Sequence, residues 1–390
     1  MSERILVVHN AYQQRGGEDA VVEAEIELLR SNGHEVATLF ECNDDLNAMP
    51  KLEAAQRTFW SYTSQKKFET ILKAFKPHVL HAHNTFPLIS PSIFWSAHKY
   101  GIPVIQTLHN FRLHCPQATY LRNGVICEDC LGSIPWRAAV HGCYRESRLQ
   151  SGVLAAMQTF HRAIGTWSDK VTRYIALNNF CRNKFIEGGL PADRIRVKPN
   201  FCEFPPPAHE DRSGFLFVGR LSQEKGIATL RSAARLEAIP INVIGDGPEK
   251  DSLADIPSLA CLGKLPPQDV RQHMCRAEAL VMPSNCYEGF PMVIVEAFAA
   301  GLPVIASRLG SMLELVEEGS TGLLFEAGNA EDLAAKMRWA AQNPERMREM
   351  GRKARATYEP LYSAKRNYQH LIGIYREAIE SKRKERTVAI

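Results

Sequence analysis

Short apolar runs rich in β-branched residues alternate with longer amphipathic stretches along nearly the whole chain, and this alternation limits the fold more than any other feature of the sequence. Ile5–Val8, Val36–Phe40, Val79–Ala82, Val104–Leu108 and Tyr174–Leu177 are mostly too short and too apolar to be surface helices, and helical or turn sequence separates them. Parallel strands joined by crossover helices have this pattern. Between the first two runs Val22, Ile26 and Leu29 share one helical face, and Asn32 with Gly33 supplies the stop signal. The pattern breaks after Asn200, where Pro205–Pro207 and residues 209–214 favour extended chain. It restarts with Phe215–Val218, Ile241–Ile244, Ala279–Met282, Val304–Ala306 and Leu323–Phe325. The expectation is an α/β protein of two doubly wound, Rossmann-like domains, residues 1–203 and 204–363. A terminal helix over 364–386, following Pro360 and ending in a basic cluster, is expected to pack back on the first domain.

Two cores are also what the length requires: 390 residues at 45% hydrophobic content exceed the roughly 250–300 residues at which single cores stop growing. A net charge of +4 with 23% charged residues excludes a strongly basic nucleic-acid binder and a charged disordered chain. Ile5–Val8 follows the start without a basic leader, so no secretory signal is expected and the location is read as cytoplasmic. The most lipid-like stretch, Val153–Trp167, is interrupted by Gln158, His161 and Arg162, so membrane contact is expected to be peripheral. The ten cysteines are then read as thiols or metal ligands rather than a disulfide framework.

Ligands of open parallel sheets collect beyond the carboxyl ends of the strands. After Phe215–Val218 come Gly219, Arg220, Lys225 and Gly226: a glycine that admits close backbone approach, then two cations able to neutralise a diphosphate. After Ala279–Met282 come Glu288, Gly289, Phe290 and Pro291, with Pro291 suited to the first position of a helix that carries Glu296. Two carboxylates with seven residues between them, near one set of amides, can accept hydrogen bonds from sugar and ribose hydroxyls. Glu296 lies among Val293, Ile294, Val295, Ala297 and Phe298, which argues against an ordinary solvent-facing glutamate.

Gly219-Arg220 with Lys225-Gly226, then Gly245-Asp246-Gly247-Pro248, then Glu288-Gly289-Phe290-Pro291 with Glu296, resemble in kind and order the family-four glycosyltransferases of GT-B architecture. Ala299–Ala306 and Thr321–Phe325 extend the likeness over the whole second domain. The resemblance implies two domains facing a cleft and a retaining transfer from a UDP- or GDP-sugar to a glycan or polyprenyl-diphosphate-linked acceptor, at the inner face of the membrane. Arg220 and Lys225 would hold the donor diphosphate, Glu288 the sugar hydroxyls and Glu296 the ribose; Gly289 and Phe290 would supply backbone contacts, and Gly245, Asp246 and Gly247 would shape the base side. It also implies that Gly16 and Gly17 line the acceptor side and that His109, after Val104–Leu108, lies near the transferred sugar. No D-x-D triplet is present to hold a catalytic divalent ion, so a metal-independent transfer is expected.

Cys115, Cys127, Cys130 and Cys143 form a C-x11-C-x2-C-x12-C series, which reads as a structural zinc site or as buried thiols, with His114 or His141 able to replace a thiolate. Residues 145–174 mix apolar and basic side chains and read either as a surface for anionic lipid or as a core helix. Two other functions share the same features: a sugar-nucleotide epimerase or phosphorylase, and a non-catalytic sugar-nucleotide-binding protein.

Overall fold

The computed structural model describes residues 2–13, 15–204 and 212–388. Most of the expected linker, Pro205–Pro207 through Asp211, lies outside the described residues. By its internal contacts the chain divides into two units, one of Met1–Ala118, Glu128–Pro199 and Asn367–Ile390, the other of Thr119–Cys127 and Asn200–Arg366.

The strands begin with β1 (Arg4–Ala11), β2 (Glu35–Cys42), β3 (Val79–Asn84) and β4 (Val104–Leu108). A short antiparallel pair, β5 (Leu121–Arg122) and β6 (Val125–Ile126), precedes β7 (Arg173–Ala176) and β8 (Ile195–Val197). The first unit is one parallel sheet in the order β2-β1-β3-β4-β7-β8. Its central strands are buried along most of their length because helices cover both faces of a parallel sheet, and most of their side chains are apolar, although β3 carries His81 and His83 and β4 carries Gln106. Ile5, Val7, Val79, Ile105 and Ile175 pack with Val22, Ile26 and Leu29 of the helix Gly17–Ser31 and with Leu371, Ile372 and Tyr375 of the terminal helix Ala364–Val388.

The second unit holds β9 (Phe215–Val218), β10 (Ile241–Ile244), β11 (Leu259–Gly263), β12 (Ala279–Met282), β13 (Val304–Ser307) and β14 (Gly322–Phe325), all parallel in the order β11-β10-β9-β12-β13-β14. Phe215, Phe217, Ile241, Val281 and Ile305 form its core with Leu230, Leu333 and Met337 of the covering helices. β8 and β11 are not among the sequence expectations. Both are edge strands, and three of the five β11 residues are exposed, so neither has the apolar run that marks a buried strand. The order reverses between β1 and β3 in the first sheet and between β9 and β12 in the second, and a doubly wound sheet receives ligands at such reversals.

Candidate functional site

In the second unit the loops leaving β9 and β12 flank the reversal. Gly226 allows their close approach: its φ is 71°, and a Cβ there would stand 1.7 Å from the Pro283 carbonyl oxygen. The Asn285 amide donates to the Glu224 carbonyl at 2.9 Å, which ties the loops together. Across this junction Lys225 Nζ donates to Glu288 Oε1 at 2.7 Å, and the Ser284 hydroxyl donates to the same oxygen at 2.8 Å. The Ser311 hydroxyl donates to the Glu288 carbonyl at 2.5 Å. Burial alone would lower the Lys225 pKa, but the Glu288 carboxylate, with Cys286 and Glu224 adding to it, makes the net shift upward, so the ammonium keeps its charge. Arg220 lies exposed on the first loop. Glu296 projects from the helix Met292–Ala299, which Pro291 opens. Burial raises its carboxyl to about 7, partly offset by Arg271.

The glycines after β10 have a packing reason of their own. A Cβ on Gly245 would come within 1.9 Å of the Gly219 carbonyl oxygen, and one on Gly247 within 2.3 Å of that of Leu221. Backbone therefore rests on backbone, and the Leu221 amide donates to the Asp246 carbonyl at 3.0 Å. Phe290 is buried, with its ring 6.0 Å from that of Tyr362.

In the first unit, polar side chains gather where β1, β3 and β4 end. His9 Nε2 lies 2.8 Å from Asp19 Oδ1, and Asp19 Oδ2 accepts the Gly16 amide at 2.8 Å. Burial works to raise the Asp19 pKa, yet His9 and the Gly16 and Tyr12 amides leave it lowered overall. The Tyr12 hydroxyl donates to Glu18 Oε2 at 2.8 Å, and Asn110 Nδ2 donates to both groups at 3.3 and 3.4 Å. Burial raises Glu18 to about 7. Glu18 Oε1 is buried and has no hydrogen-bond partner among the described residues. His109 Nε2 meets His83 Nδ1 at 2.9 Å, and burial holds both rings well below the usual histidine pKa. Beside them is a cavity of about 50 Å³, room for little more than ordered water or one hydroxyl-bearing group. Gln106 Oε1 and Trp167 Nε1, both from residues lining it, are buried without partners among the described residues.

A family model described as Glycosyltransferase Family 4 matches residues 15–203, and one described as Glycosyl transferases group 1 matches residues 203–357. This chain belongs to the family-four glycosyltransferases. The sulfoquinovosyl transferase of Arabidopsis thaliana is 26% identical over 296 residues, which is 73% of this chain and 54% of that one. The chain thus spans just over half of that transferase's length. Among solved structures, sucrose-phosphate synthase of Thermosynechococcus elongatus superposes with a TM-score of 0.71 at 17% identity, covering 97% of this chain and 100% of the other. Anabaena HepE in complex with UDP and glucose gives 0.68 at 16% identity, covering 96% and 100%. These likenesses establish the two Rossmann-like units of the GT-B fold.

In this family-four glycosyltransferase Lys225 and Glu288 form one contact. Gly219 directly follows β9, whereas Gly245 and Gly247 serve the packing of backbone on backbone. The Gly16 amide is turned inward onto Asp19, while the space above the Gly17 Cα is open. Sequence reasoning missed Ser284, Ser311, His9, Glu18 and His83. For His83 a signal existed: His81 and His83 are two apart on a strand, hence on one face, in an otherwise apolar run. Cys115, Cys130 and Cys143 fall in the first unit and Cys127 in the second. Among the described residues, the group with the spacing of a metal site is Glu25, His81 and His83. The helix Arg148–Ala163 buries Leu154 and Met157, as a core helix does, but leaves Leu149 76% exposed; on the neighbouring helix Trp136–His141, Trp136 is 56% exposed. No described helix is long and apolar enough to cross a membrane.

Proposed function

We propose that the chain is a retaining glycosyltransferase. It would move a sugar from a UDP- or GDP-sugar to a glycan or polyprenyl-diphosphate-linked glycan, in polysaccharide or glycolipid biosynthesis, without a catalytic metal ion. The observation that carries this reading is the Lys225–Glu288 contact at the order reversal of the second sheet. The ammonium suits the diphosphate, whose charge grows as it leaves, and the carboxylate suits hydroxyls of the sugar being transferred. Arg220 supplies a second cation within reach of solvent, and Glu296 an acceptor for ribose hydroxyls. The bond from the anomeric carbon to the phosphate oxygen breaks while a bond from that carbon to the acceptor oxygen forms on the same face. The acceptor proton passes to the leaving phosphate. Positioning and fixed charge then replace an enzyme nucleophile.

The first unit is assigned to the acceptor, with His109 offering a ring nitrogen to a sugar hydroxyl. The UDP and glucose held by HepE, a protein of the same fold, support a uridine diphosphate donor. Exposed Trp136, Val140 and Leu149, with Arg137, Arg145 and Arg148 nearby in sequence, suit contact with an anionic bilayer and hence a lipid-linked acceptor at the cytoplasmic face. The deciding experiment is a thermal-shift panel of UDP-, GDP- and ADP-sugars on the wild type, Lys225→Ala and Glu296→Ala. One nucleotide series should stabilise the wild type and lose most of its effect in both variants. Stabilisation that survives both substitutions would place the donor elsewhere.

A further inference from the structure

Behind the His109 ring runs a line of buried polar groups for which the proposed transfer has no use. His81 and His83 share one face of β3, and Glu25 of the helix Gly17–Ser31 lies against them. Glu25 is 2% exposed and receives Lys198 Nζ at 2.5 Å; Lys198 is 0% exposed. A well-packed apolar pair of similar volume commonly stabilises a fold as well as such a buried ion pair does. The pair therefore calls for a reason beyond stability.

Glu25 Oε2 lies 3.5 Å from His83 Nε2 and 3.9 Å from His81 Nδ1, and the three residues have the spacing of a metal site. The surroundings speak against a cation. Both His81 nitrogens are engaged at 2.8 Å, Nδ1 with the Tyr375 hydroxyl and Nε2 with the Thr107 hydroxyl. The Lys198 ammonium already neutralises Glu25, and a divalent ion would bring further positive charge beside it.

What the carboxylate can do is select a tautomer. Glu25 Oε2 and His83 Nε2 are each buried with no hydrogen-bond partner among the described residues, and they lie 3.5 Å apart. A bare Nε2 would set its lone pair against the carboxylate, whereas an Nε2–H is attracted to it. His83 Nδ1 is then the bare nitrogen, and the 2.9 Å contact with His109 requires His109 Nε2 to be the donor. His109 Nδ1 is left bare. We propose that Glu25, anchored by Lys198, acts through His83 as a positioning residue that holds His109 as the Nε2–H tautomer, with Nδ1 as acceptor for a sugar hydroxyl. This rests on the reading of His109 as a site residue.

The test is nitrogen NMR of the full chain labelled with 15N-histidine, with the His109 resonances identified by their loss in His109→Gln. The expected spectrum has a protonated Nε2 and a bare Nδ1 on His109; a protonated Nδ1 overturns the proposal in the wild type alone, whatever the variants do. In Glu25→Leu/Lys198→Met, which removes both buried charges together, His109 should become a mixture of tautomers, and transfer should slow roughly tenfold or more, as when other orienting partners are lost. A His109 spectrum unchanged in that variant overturns the network. A mixture of tautomers with an unchanged transfer rate upholds the network and overturns the assignment of Nδ1 to a sugar hydroxyl, and with it the place of His109 in the site. The nucleotide-induced thermal shift reports on the second unit separately in each case.

Discussion

Glu296→Gln should stabilise the second unit above neutral pH while weakening its hold on nucleotide. Burial raises the Glu296 carboxyl from 4.5 to about 7 in the folded protein. With the folded pKa above the unfolded one, the unfolded chain sheds this proton first. The group's stabilising contribution is thus whole below about 4.5 and is lost as pH rises through about 7. The difference between 4.5 and about 7, at about 1.36 kcal/mol for each pH unit, sets an upper limit of about 3.4 kcal/mol, which partial exposure of the side chain reduces. Glutamine keeps the shape and cannot ionise. Its advantage over the wild type should therefore grow by up to about 3 kcal/mol between about pH 5 and about pH 8. Ribose hydroxyls donating to the carboxylate favour its ionised form, so nucleotide affinity of the wild type should rise through the same interval and that of the variant should not. Denaturant unfolding of both proteins at the two pH values, with and without UDP, measures both effects. Parallel pH dependence in wild type and variant would refute the reasoning, because the buried carboxyl would then not be the titrating group.

Lys225→Met should reduce transfer by about 100- to 1000-fold, as expected when a fixed charge aimed at developing negative charge is removed, with little change in far-UV circular dichroism. Lys198→Met alone strands a buried carboxylate and should cost about 3–5 kcal/mol in denaturant unfolding, most of which Glu25→Leu/Lys198→Met should recover. Gly226→Ala, at φ 71° and with its new Cβ 1.7 Å from a backbone oxygen, should cost more than the roughly 1–2 kcal/mol of the left-handed conformation itself and should lower donor affinity by displacing Lys225; a calorimetric titration with UDP reads the second effect. Trp136→Glu should reduce co-sedimentation with anionic vesicles, because it removes an exposed apolar side chain and adds a negative charge.

The strands at the centre of each sheet could be read from residue order alone. Ile5–Val8 and Phe215–Val218 are covered on both faces, and a strand in that position is mostly apolar along its length. The loops after β9 and β12 were equally legible, because a glycine, its cations and an acid followed by a helix-opening proline are local chemistry. Edge strands β8 and β11 were not, since a half-exposed strand carries no continuous apolar run. Only the folded chain brings Lys198 onto Glu25 across 173 residues and His83 onto His109 across 26. Periodicity reports which face of an element is buried; which two buried polar groups meet depends on strand order and register, and these are set by the packing of the whole unit.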